Sequence, residues 1–164
     1  MEYWDRQIKL AQYMILGTVI ITALNIAFML SNGDLYISYS AALPYYLVWL
    51  GKIFDNGLYL GPVNGVFTAT GLVMAAVILC GWLVVWWLSK TSRTWLKVGF
   101  ILVIADLVIL VILALVLMGN LFSCLWEAVI HIAVLWEMYR GLKAWAQKDI
   151  FLARREAQKE EVAL

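Results

Sequence analysis

Long apolar runs separated by short polar breaks set the pattern of this chain. Leu10–Leu30 holds 21 residues without a charge, enough to cross a hydrocarbon core of roughly 30 Å. Ser31–Asp34 (Ser-Asn-Gly-Asp) then reads as a turn. Pro62–Leu88 is a second uncharged run, and Val98–Met118 and Leu121–Tyr139 are a third and a fourth apolar run that carry a few ionisable residues. Gly119-Asn120 leaves room only for a tight turn between the last two, so they must be neighbours.

Between the first two runs, Tyr36–Phe54 breaks the rule. Its apolar core, Ala41–Leu50, is too short to cross, which predicts an interfacial or re-entrant helix over 40–54. Pro44 suits a first helical turn and Ser40 an N-cap. Tyr45, Tyr46 and Trp49 suit the headgroup level. Residues 140–164 form a charged tail in which Leu142, Trp145, Ala146, Ile150 and Ala153 make a loose apolar stripe, predicting an amphipathic helix along the membrane surface. The expected architecture is therefore an all-α membrane protein. It is a four-transmembrane-helix bundle (spans about 10–30, 62–88, 98–118 and 121–139) with one short external helix and a cytoplasmic tail, all in a single unit over 1–164.

Composition agrees with lipid as the main solvent: 65% of residues are hydrophobic and 14% charged, against about 25% charged in ordinary soluble chains. No small-residue cleavage site follows the first run, which predicts a retained span rather than a signal peptide. The net charge of +1 says little, but its distribution sets an orientation. Four spans place the head, the Ser89–Lys97 loop and the tail on one side, with eleven of the twelve Lys and Arg residues; only Lys52 lies opposite. The positive-inside rule makes the crowded side cytoplasmic, with both termini there and the cell membrane as the expected location. Were Tyr36–Phe54 to cross, nine basic residues would move to the wrong side.

Candidate chemistry is confined to a few polar residues inside the apolar runs. Asp106 lies 13 residues before Gly119, and His131 lies 11 after Asn120. At about 1.5 Å per residue both reach mid-bilayer on adjacent helices. Glu127 stands one turn from His131 on the same face. Thr18, Thr22 and Asn25 form one stripe on the first span, and Asn25 and Thr68 match Glu127 in depth. A charge in mid-membrane costs on the order of 2.5–3.5 kcal/mol or more, so it persists only when paired, neutralised or wetted. Asp106 and His131 can pair and exchange a proton. The pair supports two readings. One is a proton- or cation-coupled transporter or channel subunit, with Asp106, His131, Glu127, Asn25 and Thr22 at its site. The other is a polar clasp in a non-catalytic assembly or regulatory subunit.

Other chemistries find no support. Glu127 and His131 are spaced E-x-x-x-H, not H-E-x-x-H, and a single His makes no His-rich metal site. Cys80 and Cys124 belong at opposite ends of their spans and form no C-x-x-C. No phosphate-binding glycine loop or nucleophile elbow occurs, so no cofactor is implied. Asp149, Glu156, Glu160 and Glu161 interrupt the basic tail, which argues against nucleic acid. The expected partners are the lipid bilayer and other membrane helices, approached through small residues at Gly61, Gly65, Ala69, Gly71 and Ala75.

Overall fold

The hydrophobic pattern resolves into helices throughout the described chain. A computed structural model describes residues 1–31, 36–37, 39–57, 65–119 and 122–163. Helix α1 spans Glu2–Leu30, α2 Ala42–Asp55, α3 Val66–Ser89, α4 Arg93–Met118 and α5 Leu125–Ala163, the last preceded by a 3-10 turn at Phe122–Cys124. Glu2–Leu30, Val66–Ser89 and Arg93–Leu117 are long and apolar enough to cross a membrane. The first 18 residues of α5 carry three charged residues, Glu127, Glu137 and Arg140, whereas each of those three helices contains an 18-residue stretch with no more than two. Large apolar side chains such as Val73, Val77, Ile101, Val116 and Ile132 point outward, as expected where lipid replaces water.

The four long helices touch in a cycle: α1 meets α3, α3 meets α4, α4 meets α5, and α5 returns along α1. Their shared core is built from Ala11, Ile15 and Val19 of α1, Trp82 and Val85 of α3, Leu96 and Val103 of α4, and Val134 and Met138 of α5. Helix α2 packs mainly along α3 and also meets α1 and α4. The α2–α3 approach is close because glycine removes the side chain on both sides. A Cβ at Gly51 would lie 2.5 Å from the Phe67 carbonyl oxygen, and one at Gly71 would lie 2.5 Å from that of Leu47. Small residues at such crossings let backbones meet.

The path from α1 to α2 folds back on itself. Ile37 is bonded to Asn25, Ala41 to Thr22, and Tyr39 to Thr18. The chain therefore descends α1 by about two turns, some 10 Å. Helix α2 then climbs back, and Lys52 Nζ reaches the carbonyl of Met29 near the α1 C-terminus at 2.7 Å. At its far end, the Asp55 carboxylate accepts from the backbone N–H of Phe67 at 3.1 Å and of Thr68 at 2.7 Å, and from the Thr68 hydroxyl. That carboxylate satisfies orphan donors at the start of α3.

Four expectations change. The N-cap of α2 is Ala41, with no capping side chain of its own, rather than Ser40. Thr68 belongs to the Asp55 link at the α2–α3 corner, away from the polar residues of α1. The small-residue ridge does not run as one stripe. Gly65 precedes α3 in a left-handed conformation, φ 74°, and Ala69 is exposed, while Gly71 and Ala75 face inward. Gly61 lies outside the described residues, as do 32–34 of the first turn and Asn120 of the last. Finally, 140–163 continues α5 instead of forming a separate surface helix. Leu142 and Trp145 join the core, the Trp4 and Phe151 rings meet in a tilted contact with centroids 5.4 Å apart, and Lys148 pairs with Asp5 at 2.7 Å. The first turns of α1 thus cover part of the apolar stripe, at Leu142 and Trp145, while Ile150 and Ala153 stay exposed.

Candidate functional site

A polar network built by α1, α4, α5 and the 36–43 segment lies within this apolar frame. Asp106 is 4% exposed and His131 is fully buried. Although 25 residues apart, they come face to face between α4 and α5, with His131 Nε2 3.1 Å from Asp106 Oδ2. The same Oδ2 accepts from the backbone N–H of Ala42 at 2.8 Å, and Oδ1 accepts from that of Leu43 at 3.3 Å. Asp106 thus caps the N-terminus of α2 from another helix. Two orphan N–H groups are satisfied, and the positive end of the helix dipole faces the carboxylate.

The other ring nitrogen settles how many protons the pair holds. His131 Nδ1 lies 2.8 Å from the Glu127 carbonyl oxygen, which can only accept. Nδ1 therefore carries hydrogen. A neutral ring with Nδ1–H leaves Nε2 as a lone pair, so a bond to Asp106 then needs the proton on Oδ2. If Nε2 also carries hydrogen, the ring is a cation and Asp106 a carboxylate. Either arrangement places one proton between Oδ2 and Nε2, and the pair is neutral overall. Without that proton, two lone pairs would meet at hydrogen-bond distance, or the ring would have to give up its bond to Glu127.

The remaining candidates are brought to the same region with other duties. Asn25 acts as a backbone surrogate: its Nδ2 donates to the carbonyls of Ile37 at 2.8 Å and Tyr39 at 3.0 Å, and its Oδ1 accepts from Ile37 N–H at 2.9 Å. Thr22 Oγ1 accepts from Ala41 N–H at 2.6 Å and donates to the Thr18 carbonyl at 2.7 Å. These bonds explain how extended backbone is tolerated deep among apolar helices. Glu127 meets His131 through its carbonyl. Its carboxyl does not join the Asp106 cluster, and Oε1 is buried with no hydrogen-bond partner among the described residues.

Tyr39 is a member that the sequence reading missed. Its ring lies 4.9 Å from that of His131, and its hydroxyl is 2.6 Å from Thr18 Oγ1. It closes the network between α1 and α5. The available signal was the Tyr-Ile-Ser-Tyr-Ser stretch just before the Pro44 turn, where polar groups crowd the approach to an uncapped helix. Cys80 is exposed and Cys124 buried, with no disulfide between them, in keeping with their expected separation. No protein-family model, curated protein or solved structure matches this chain, so its chemistry is read from its own residues.

Proposed function

We propose that the chain is a four-span membrane protein, with the first half of α5 as the fourth span, and that it couples a proton to the seating of a re-entrant α2. On this reading it is a small proton- or cation-linked transporter or channel subunit. The observation that carries the reading is the proton count at Asp106–His131: one buried exchangeable proton is required for the bonds seen at both ring nitrogens. Eleven of the twelve basic residues share one side in this topology, which orients both termini to the cytoplasm.

The site works as a latch. With one proton, Asp106 holds His131 and the start of α2 together. Removing the proton sets two acceptors against each other. Adding a second converts the carboxylate to a neutral acid beside a cationic ring, which weakens the charge-assisted cap on α2. Both changes loosen the segment 36–43, whose other anchors are Asn25, Thr22 and the Thr18–Tyr39 pair. Loosening it opens a path along the polar stripe of α1. Glu127, one turn toward the α5 N-terminus, supplies negative charge to attract a cation.

Proton flux into liposomes tests this. Asp106→Asn conserves the shape and removes the exchangeable proton: with its amide NH2 in place of Oδ2 it donates to the Nε2 lone pair while its oxygen accepts from Leu43 N–H, and only the Ala42 N–H bond is given up. Loss of flux in this folded variant is the expected result, with His131→Gln also inactive. Flux equal to the parent protein would remove the proposal. A second reading, a non-catalytic assembly subunit, is favoured by the pairing of both Asp106 oxygens and both His131 nitrogens, which a purely structural clasp also requires. It predicts no flux in the parent and a stable partner retained in mild detergent.

A further inference from the structure

A cleft of about 430 Å³ lies at the opposite end of the molecule from the Asp55 corner, lined by Lys9 of α1, Lys90 of the α3–α4 loop and Lys148 of α5. Three cations from three separate elements therefore meet at one opening. Asp5 and Asp149 also line it, but Asp5 is engaged by Lys148 at 2.7 Å. Lys9 and Lys90 are in no ion pair among the described residues. The Lys90 ammonium instead sits over the Trp86 ring at 3.7 Å. Ile8, Trp145 and Leu152 supply apolar lining beside the cations.

We infer that this cleft binds the phosphodiester headgroup of an anionic glycerophospholipid of the cytoplasmic leaflet. An isolated lysine on a surface needs no explanation, but two ammonium groups outside any ion pair among the described residues, converging beside an apolar wall in a lining whose three lysines outnumber its two aspartates, match a lipid: phosphate on Lys9 and Lys90, glycerol and acyl carbons against Trp145 and Leu152. Basic pockets between membrane helices on the cytoplasmic side have this chemistry. The cleft joins α1, the α3–α4 loop and α5, so an occupant would tie together the three elements at that end. The site is independent of the Asp106–His131 latch and stands whether or not protons are moved.

The test is native mass spectrometry of the purified full chain in detergent, titrated with phosphatidylglycerol or phosphatidylcholine. Phosphatidylglycerol is expected to bind in preference. Each of Lys9→Gln and Lys90→Gln should weaken it about fivefold, and the double variant about 25-fold, to the level of phosphatidylcholine. Lys159→Gln in the distal tail should leave binding unchanged. Should the double variant fail to fold, Lys90→Gln alone and the charge-preserving Lys9→Arg/Lys90→Arg pair make the same distinction. Undiminished phosphatidylglycerol binding in Lys9→Gln/Lys90→Gln overturns the assignment. So does displacement of the lipid by millimolar inorganic phosphate, which would mark the cleft as a site for a free anion.

Discussion

The carboxylate of Asp106 lies 2.8 Å from the backbone nitrogen of Ala42, 64 residues away in the chain. A helix that lacks its own capping side chain borrows one from the middle of another helix. The cap is also the partner of a buried imidazole, so secondary-structure satisfaction and proton chemistry meet on one side chain.

Removing that side chain should cost more than conserving its shape. Asp106→Ala strands two α2 N–H groups and the His131 ring, and truncating one partner of a buried pair typically costs about 3–5 kcal/mol. Asp106→Asn still serves His131 and Leu43 but strands the Ala42 N–H, which shares its oxygen with the ring, and should lose only about 1–3 kcal/mol, the cost of one buried donor without a partner. Denaturant unfolding in mild detergent, followed by circular dichroism, checks the difference. Equal losses would show that the charge itself, not the bonding pattern, holds the clasp.

Asn25 makes three bonds to the backbone of Ile37 and Tyr39. Asn25→Leu fills a similar volume but leaves those groups without partners, at a cost of about 1–3 kcal/mol for each buried donor or acceptor stranded. Because the loss is local to the 36–41 segment, it should appear first as a new protease cut there, ahead of global unfolding. An unchanged digestion pattern would show that the segment is held by Thr22 and Tyr39 alone.

At the α2–α3 crossing, backbone faces backbone. Gly71→Ala places a methyl group against the Leu47 carbonyl, where no rotamer can yield, and Gly51→Ala does the same at Phe67. Overpacking of this kind costs about 1–3 kcal/mol. The thermal midpoint of either variant should fall, while Gly81→Ala, whose added Cβ meets nothing within 4 Å, should not share the loss. Equal midpoints for all three would contradict the close approach.

Acid should release the Asp55 corner. Desolvation pushes this carboxyl up, but the Thr68 hydroxyl, the Thr68 N–H and the Phe67 N–H together outweigh it and hold the group below its ordinary value of 3.8. A carboxyl with a depressed folded value binds its proton more weakly in the folded chain than in the unfolded one. Its contribution is therefore complete above the unfolded value and disappears as pH falls through the lower folded value. Stability of the parent should drop across that acid window more steeply than that of Asp55→Asn, which has no carboxyl to titrate. Parallel pH profiles would show that the corner adds nothing to acid sensitivity.

The sequence by itself determined the long apolar helices, the short element between the first two, and the matching depth of Asp106 and His131 on neighbouring helices, but not that the two side chains meet. Periodicity and length fix the first two features through hydrogen bonding and the thickness of the apolar solvent, while a tight turn forces its flanking helices together at matching depth. Tertiary structure decided what those polar groups bind. The role of Asp106 as a cap for α2 depends on a backbone 64 residues away, and no local pattern encodes that meeting. Asn25 and Thr22 read as ligand-facing because a side-chain stripe shows polarity but not its partner, and here the partner is the folded-back 37–41 backbone. Tyr39 and the placement of the 140–163 helix against α1 depended likewise on which face each element turns inward. Rotation about a helix axis is set by the summed packing of all its neighbours, a property of the assembled fold rather than of any one stretch.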